Sequence, residues 1–535
     1  MKGYKHFGVF IDCAGNGRLN VPQIKNLIDK MQVMGYDLLE ICLNDAFEIP
    51  SEPYFGYLRG GYTQEELKEI DAYALACGIE VVPCVQTLAH LTTLLKLPAY
   101  QDIVDVDNIL LIDEPKTYGL IEKMFQSIRE CFHTNLVNIS MDEAWKVGLG
   151  RYLRKHGYVD RFELILKHLR KVIDIADKYR FKAHMWSDMF FRLSSDGVRY
   201  YVKGLHIPAE IVQKIPQNVA LCYWDYGEHE LTEEMFDEMF RQHKEIGREL
   251  WFCGGAWCWN GYAPQNRFSL ESMRLAMMQA RKHNVENVIV SLWASDGNDC
   301  SYLSTLPSLY AIKEYAQGNF DRQDIERGFY QAFGVSFADF MLLDLPNQTS
   351  RDSDGLKREN PCKSLLFNDC FVGWKDDDLS KVDPIPYGEY ANELERASER
   401  MGEYAYLFDN LAKLCRVLEL KAYLGLRTRK AYRERNQREL EALVKDYWDA
   451  AQRLQAFRQS MYRIWMKENK PFGWEVQEIR FGGLYARILN CRERLVEYLQ
   501  GKAETIPELE QDVRPYGNMG LQYNIYKDLV TVAEL

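Results

Sequence analysis

Acidic and aromatic side chains follow one short apolar run after another in the first 300 residues. The clearest case is the adjacent pair Asp142-Glu143. Carboxyl groups can act as general acid and base, and indole rings stack on the flat faces of sugars. Together they are typical of a glycosidase pocket. The residues that follow the runs are Asp12, Asn16, Asn44, Asp45, Gln86, His90, Asp142, Glu143, Trp186, Asp188, Tyr223, Trp224, Asp225, Tyr226, Trp257, Trp259, Trp293, Asp296 and Asp299.

Each of these residues also has an ordinary structural explanation. Asp142-Glu143 can be the N-terminal charges of the next helix. Trp186 or Trp293 alone is more often a core residue than a ligand contact, and His90 alone is more often a hydrogen-bonded structural residue. Only their joint position at the ends of successive runs favours a shared site.

Eight short runs, each followed by a helical pattern, are the elements that would position these side chains. They are apolar nearly throughout, as strands buried on both faces must be. Pro22 and Gly35 mark the ends of the first helix, and Thr63 with Glu66 forms a capping box at the second. The strand candidates are 7–12, 38–43, 80–85, 137–140, 182–186, 219–224, 249–254 and 287–292.

Eight such units predict an α/β protein, a (β/α)8 TIM barrel with its active site at the carboxyl ends of the strands. A doubly wound open sheet is the alternative, but no Gly-x-Gly-x-x-Gly follows a strand. We place the barrel at 1–345. Residues 346–535 are expected to form a polar linker, 346–378, and an all-α C-terminal domain that packs on the barrel and mediates a homodimer.

Composition and charge exclude several classes of partner. A net charge of −12 without a basic stripe argues against nucleic acid. No apolar run has the length of a membrane span, and no signal sequence is visible, which favours a cytoplasmic protein. The 13 cysteines include no Cys-x-x-Cys pair and are expected to be reduced and structural. Neither the histidine spacing nor any other motif indicates a metal or a cofactor.

Five blocks of sequence resemble glycoside hydrolase family 20, the β-N-acetylhexosaminidases, in the bacterial branch with a barrel followed by a helical domain. The blocks occur in the same order as in that branch. They are Glu52-Pro-Tyr-Phe-Gly-Tyr-Leu-Arg-Gly, Asp142-Glu-Ala with Gly148-Leu-Gly-Arg-Tyr-Leu, Met185-Trp-Ser-Asp-Met-Phe-Phe, Tyr223-Trp-Asp-Tyr and Gly254-Gly-Ala-Trp-Cys-Trp.

The resemblance implies an exo-acting, retaining enzyme without a protein nucleophile. The acetamido oxygen of the substrate attacks the anomeric carbon and forms an oxazolinium intermediate. Glu143 would be the general acid and base, and Asp142 would hold the acetamido N–H. The remaining implied roles are an acetamido carbonyl contact by Tyr223, an apolar wall of Trp186, Trp293 and Trp257 or Trp259, sugar-hydroxyl binding by Asp225 and Asp299, and a relay behind the acid by Asp45 and His90.

Three departures from the family pattern concern the sugar's hydroxyl groups and the fourth strand. Gly15 stands where the family has an arginine that grips the 3- and 4-hydroxyls, although Arg18 lies close by. Ser295 replaces an acid, and Asn138 replaces a histidine before Asp142. The acetamido machinery is therefore expected to be intact and the hydroxyl contacts altered.

Three functions remain possible from the sequence. The first is a β-N-acetylhexosaminidase acting on glycans that end in N-acetylglucosamine or N-acetylgalactosamine. The second is a relative with altered sugar specificity or weak catalysis that mainly binds sugar. The third is an unrelated barrel hydrolase that uses a metal, which the lack of histidine-rich strand ends disfavours.

Overall fold

Eight parallel strands close into a barrel in the computed structural model, which describes residues 3–195, 197, 199–294, 296–515, 520–522 and 525–533. Around the barrel the strands follow the order β1-β8-β7-β6-β5-β4-β3-β2. The predicted TIM barrel is confirmed, and three of the eight strands have the predicted bounds. The strands are β1 His6–Asp12, β2 Leu38–Cys42, β3 Glu80–Cys84, β4 Leu136–Asn138, β5 Lys182–Trp186, β6 Val219–Trp224, β7 Leu250–Gly255 and β8 Asn287–Leu292.

Helices cover the outside of the barrel. The first is capped by Asn20 and ends at Gly35 in the left-handed region, and Thr63 and Glu66 form the predicted capping box. The main barrel helices are Val21–Met34, Gln64–Ala76, Pro115–Cys131, Arg161–Lys178, Glu233–Ile246, Asn266–Lys282 and Leu306–Gln317. Shorter helices are Thr92–Leu95, Arg151–His156, Asp188–Ser194, Ala209–Lys214, Arg322–Phe333 and Phe337–Phe340, and a two-stranded hairpin pairs Val104–Val106 with Ile109–Leu110.

A small polar network lies inside the barrel below the mouth. Glu40 of β2 accepts a hydrogen bond from the Asn138 amide at 2.6 Å and lies 3.0 Å from the His184 ring. The Asn138 side chain also accepts the backbone N–H of Ser140 at 2.8 Å. Asn138 therefore ties the barrel interior to the segment that leads to Asp142.

The C-terminal part of the chain is helical, as expected. Its helices are Pro361–Phe367, Asp376–Leu379, Tyr387–Ser398, Ala405–Arg433, Gln437–Glu468, Trp474–Leu499, Pro507–Glu510 and Tyr526–Val530. Asn20, at the start of the first barrel helix, donates its backbone N–H to Glu468 at 2.9 Å. The helical domain therefore packs on the carboxyl-end face of the barrel, where the active site is expected.

The segment 346–378 is not the irregular polar linker predicted from its composition. It contains the helices Pro361–Phe367 and Asp376–Leu379, and Lys363 is fully buried. The Lys363 ammonium group lies 3.0 Å from Asp296 and 2.8 Å from Asp299, both on the loop after β8. Polar residues are buried here because they pair across the boundary between barrel and helices.

All 13 cysteines are free, and 12 of them are buried. This agrees with the prediction of reduced cysteines that pack as small apolar groups. Among the described residues, no helix combines the length and apolar character needed to cross a bilayer.

Candidate active site

A cleft of about 1180 Å³ opens at the carboxyl ends of the strands. The barrel loops supply most of its wall and the C-terminal domain supplies the rest. Residues from the barrel are Asp12, Ala14, Gly15, Cys42, Asn44, Gln86, His90, Thr92, Asp142, Glu143, Trp186, Trp224, Tyr226, Glu228, Trp257, Trp259, Asn260, Trp293 and Asp296, and residues from beyond it are Arg358, Arg480, Gln522, Ile525, Tyr526 and Lys527.

Asp142 and Glu143 lie directly beyond β4. Ser140, Met141 and Glu143 all have positive φ, between 51° and 66°. This conformation costs energy for residues other than glycine, and it is characteristic of positions whose direction matters. The Glu143 backbone N–H is held by Asp188, whose Oδ2 accepts it at 3.0 Å.

Three side chains surround the carboxylate pair. Gln86 donates to Asp142 at 2.9 Å, and the Tyr200 hydroxyl donates to Glu143 at 2.7 Å. His90 Nε2 lies 3.3 Å from an oxygen of Asp142 and 3.3 Å from an oxygen of Glu143. Both carboxylates therefore share one cationic neighbour.

His90 and Asp142 fix each other's charge. Burial opposes protonation of His90, but the carboxylates of Asp142 and Glu143 outweigh it and hold the pKa of His90 well above its usual value. Burial likewise opposes ionisation of Asp142, but His90 and Gln86 lower the pKa of Asp142 below its usual value. An imidazolium beside an ionised Asp142 is the state that these contacts favour.

Replacing His90 with asparagine is expected to move the acidic limb of the pH–rate profile to higher pH. Without the imidazolium, burial of Asp142 is opposed only by hydrogen bonds, so its pKa rises and its ionised form is lost earlier on acidification. Asparagine tolerates the positive φ of 56° at this position. The measurement is kcat/KM between pH 4 and 8, and an unchanged acidic limb would contradict the pairing.

Asp188 is a buried carboxyl group behind the pair. Burial and then the neighbouring charge of Asp142 raise the pKa of Asp188 to about 8. Its Oδ2 accepts the Glu143 N–H, and its side chain is fully buried. It therefore positions Glu143 without touching the cleft.

The stability of Asp188→Asn relative to the parent is expected to be higher at pH 8 than at pH 5. The folded state holds the Asp188 proton up to about pH 8 and the unfolded chain releases it near pH 4, so folding loses stability as pH rises between these values. Each pKa unit corresponds to about 1.4 kcal/mol. The asparagine oxygen can still accept the Glu143 N–H. Thermal melts of both proteins at pH 5 and 8 test this, and an equal pH dependence would refute it.

The predicted tryptophans line the cleft. Trp186 and Trp293 pack with Phe10, with ring centroids 5.9 and 4.5 Å from it. Trp257 and Trp259 stack on each other at 4.2 Å. The four indoles give the cleft two aromatic walls.

β6 directs its aromatic residues differently from the prediction. Tyr223 is fully buried on the helix side of the strand, stacked on His243 at 4.8 Å, and it does not line the cleft. Its hydroxyl donates to Asp225 at 2.8 Å, and Asp225 is likewise fully buried off the cleft wall. Side chains alternate along a strand, so Trp224 and Tyr226 face the cleft instead.

Asp45 and Asp299 also lie away from the cleft wall. Asp45 binds Arg59 and accepts the Thr93 hydroxyl at 3.1 Å, and none of its described contacts is to His90. Asp299 accepts Gln477 at 2.8 Å and pairs with Lys363. The predicted relay from Asp45 to His90 is therefore not formed, and Asp299 anchors the helical domain.

Within the described ranges, no group of three or more histidine, cysteine, aspartate or glutamate residues is arranged to hold a metal ion.

Comparison with known proteins assigns the family. Residues 4–246 match the model of the glycosyl hydrolase family 20 catalytic domain, and residues 338–523 match that of the glycoside hydrolase 20C C-terminal domain. The chain belongs to glycoside hydrolase family 20. The second match covers most of the C-terminal helical domain.

Individual relatives are distant. Hexosaminidase D of Bos taurus is 26% identical over 221 residues, covering 39% of this chain and 59% of the relative. Beta-hexosaminidase of Vibrio furnissii is 26% identical over 221 residues, covering 33% of this chain and 36% of the relative. The chain thus spans about three fifths of the first and about a third of the second. A solved exo β-N-acetylglucosaminidase of Vibrio harveyi is 18% identical, with 64% of this chain and 58% of that chain covered at a TM-score of 0.47.

Gly15, at the position where the resemblance implied an arginine, lies on the cleft wall. A Cβ at Gly15 would lie 3.2 Å from the carbonyl oxygen of Ala294. Arg18 does not reach back into the cleft, because it is 2% exposed and bound to the carbonyl of Arg59. Burial, then repulsion from Arg59, lowers the pKa of Arg18 to about 10. Ser295 lies outside the described residues.

Several site residues had no role assigned from the sequence. Gln86, Asp188, Tyr226 and Asp296 follow strands, so their positions were visible, but their roles were not. Tyr200 comes 14 residues after β5 on a loop without a motif. The residues Arg358, Arg480, Gln522, Ile525, Tyr526 and Lys527 come from a domain that has no catalytic motif, and no local pattern could have placed them in the cleft.

Proposed function

We propose that this chain is an exo-acting, retaining β-N-acetylhexosaminidase that uses the acetamido group of its substrate as the nucleophile. The observation that carries the proposal is the Asp142-Glu143 pair. It follows β4 at the cleft, is held by His90, Gln86 and Tyr200, and faces a cleft with five tryptophans. Family membership and the names of the matched relatives support the same class.

Glu143 is assigned as general acid and then general base. Its carboxyl group is about one third exposed, so it can reach a glycosidic oxygen and later a water molecule. The same carboxyl group must release its proton in the first step and recover it in the second. Tyr200 and His90 hold its two oxygens and so fix its direction.

Asp142 is assigned to the acetamido group. An ionised carboxylate can accept the acetamido N–H, which aims the carbonyl oxygen at the anomeric carbon and stabilises the positive charge of the oxazolinium. Trp186 and Trp293 would enclose the methyl group. Tyr226, rather than Tyr223, is proposed to donate to the acetamido carbonyl, because its ring lines the cleft.

Hydrolysis of a nitrophenyl β-N-acetylglucosaminide and of its galacto epimer, with and without a chelator, tests the function. We expect turnover of at least one epimer, no effect of chelation, and release of the β anomer as first product. Release of the α anomer would reject the retaining mechanism. Loss of turnover with chelator would favour a metal-dependent hydrolase.

A sugar-binding protein with weak catalysis is the second candidate. It is favoured by the absence of Asp225 and Asp299 from the cleft wall and by Gly15, since these alter the expected hydroxyl contacts. Tight binding of N-acetylglucosamine without hydrolysis of any nitrophenyl glycoside would support this candidate.

We also propose that the helical domain mediates a homodimer. The long helices Gln437–Glu468 and Trp474–Leu499 expose Trp448, Tyr462 and Ile479 to between 45% and 71%. Sedimentation of the full chain should give a dimer, and a monomer would reject this proposal.

A further inference from the structure

The polar groups that face the cleft opposite the catalytic pair come from two domains. The barrel contributes Asp296, on the loop after β8. The C-terminal domain contributes Arg480, from the helix Trp474–Leu499. Asp225 and Asp299, the carboxylates expected to bind sugar hydroxyls, are both off the wall, so the hydroxyl contacts must come from other residues.

Arg480 is fixed on the cleft wall by its partners. It donates to the backbone carbonyl of Asp296 at 3.0 Å and to Asp296 Oδ1 at 2.8 Å. The ring of Tyr526 packs 4.7 Å from the guanidinium, and the Arg480 side chain is only 9% exposed. These two bonds use two of its five N–H groups, and the described residues offer no acceptor for the others.

Protein partners occupy three of the roughly four acceptor positions of the Asp296 carboxylate. Besides Arg480, its carboxylate accepts Lys363 at 3.0 Å and the backbone N–H of Tyr526 at 2.6 Å. Burial opposes ionisation, but Lys363 and Arg480 lower the pKa of Asp296 below its usual value. Asp296 is therefore an anchor, and the guanidinium that it holds is the group free to bind.

The position of Arg480 around the barrel mouth indicates which part of the sugar its guanidinium faces. β8 and β4 are four strands apart in either direction around the closed barrel, so Asp296 and Arg480 lie across the mouth from Asp142 and Glu143. In a pyranose ring, C4 is opposite C1. A sugar whose anomeric carbon is at Glu143 therefore directs its 4-hydroxyl toward Arg480.

We propose that Arg480 of the C-terminal domain binds the 4-hydroxyl of the terminal sugar and is a specificity-determining residue. This rests on the proposed function for the orientation of the sugar. A planar guanidinium is suited to hydroxyl recognition because it offers several donors in fixed directions. The helical domain would thus be part of the binding site, and the barrel alone would have an incomplete one.

The test combines a variant with a substrate that lacks the hydroxyl. Arg480→Gln removes the charge, and the 4-deoxy analogue removes its partner. With the nitrophenyl N-acetylglucosaminide, kcat/KM should fall about 10- to 100-fold, because one charge-assisted hydrogen bond is lost. With the 4-deoxy analogue, parent and variant should differ by no more than about threefold. The ratio of kcat/KM for the gluco and galacto epimers should also move toward one.

Arg487→Gln is the matched control. Arg487 lies on the same helix and makes a similar pair with Asp369, at 2.6 and 3.0 Å, but it does not line the cleft. It should show parent values with every sugar. An equal loss with the parent sugar and its 4-deoxy analogue in Arg480→Gln would mean a structural role and would overturn the proposal, as would an unchanged variant.

Binding is measured alongside turnover to separate the two proposals. Free N-acetylglucosamine and its 4-deoxy analogue are titrated while the fluorescence of the cleft tryptophans is followed. If the parent binds sugar without cleaving the glycoside, the proposed hydrolase function fails. The role of Arg480 is then decided by comparing the Kd values of the parent and Arg480→Gln for the two sugars. If Arg480→Gln does not fold, the role of Arg480 is decided by the same measurements on Arg480→Lys and by the parent's preference for the sugar that carries the 4-hydroxyl. Equal affinity of the parent for both sugars, or no affinity for either, overturns the proposal.

Discussion

The kcat of Glu143→Gln on natural glycans should be about two to four orders of magnitude lower than that of the parent. General acid–base help contributes about 10²–10⁴ in rate, and an amide can neither give nor recover the proton. Tyr200 and the Asp188-held backbone keep the side chain in place, so the loss should fall mainly on kcat rather than on KM. Steady-state kinetics on a chitobiose-type substrate measure it.

The leaving group supplies the internal control for this prediction. A dinitrophenyl glycoside needs little protonation, so its first step should be hurt much less than that of a natural glycan. Glu163→Gln, on the outer helix Arg161–Lys178 and paired with Lys214, is the matched surface variant and should behave as the parent. Near-normal rates of Glu143→Gln on natural glycans would remove Glu143 from the mechanism.

The barrel could be predicted because its signals are local. Each strand is a short apolar run bounded by turn or helix signals, and strands buried on both faces need no alternation. Asp142, His90 and the four tryptophans predicted to form the apolar wall follow strand ends, and all of them line the cleft. Where a position next to a strand end is enough to bring a residue to the cleft, the residue can be predicted from the sequence.

Side-chain direction on β6 was harder to predict. The strand is apolar on both faces, so its composition does not say which alternate residues point inward. Cys222 and Trp224 point into the barrel, and Tyr223 therefore packs on Phe240 and His243 of the covering helix. The difference of one residue decides whether a tyrosine can touch a substrate.

Contacts between domains were beyond any local pattern. Lys363 and Arg480 look like ordinary charges on polar segments, and only the folded chain brings them to Asp296 and Asp299. The same long-range pairing explains why 346–378 has the composition of a linker and yet is largely buried. Sequence patterns show the periodicity within one helix or strand. They carry little information about which charged residue of another element a side chain will pair with.

Progressive fluorination of the acetamido methyl group should slow turnover steeply. Each fluorine withdraws electrons from the carbonyl oxygen, which makes it a poorer nucleophile toward the anomeric carbon. A hydrolase with a carboxylate nucleophile would respond weakly, since its acetamido group takes no part in bond formation. The measurement is log kcat/KM across the series from acetyl to trifluoroacetyl with one leaving group.

The Asp142→Asn variant tests whether the Asp142 carboxylate supports the attack of the acetamido oxygen. The asparagine oxygen can still accept an N–H, but it lacks the charge that stabilises the oxazolinium, and we expect kcat to fall about 10²–10³-fold. Since Asp142 also raises the pKa of His90, the variant should lose the imidazolium at lower pH than the parent. Rate loss in Asp142→Asn that is equal for acetamido and 2-hydroxy sugars would mean that Asp142 acts only through His90. A flat fluorine series, or a trapped covalent glycosyl ester on any carboxylate, would reject the acetamido nucleophile itself.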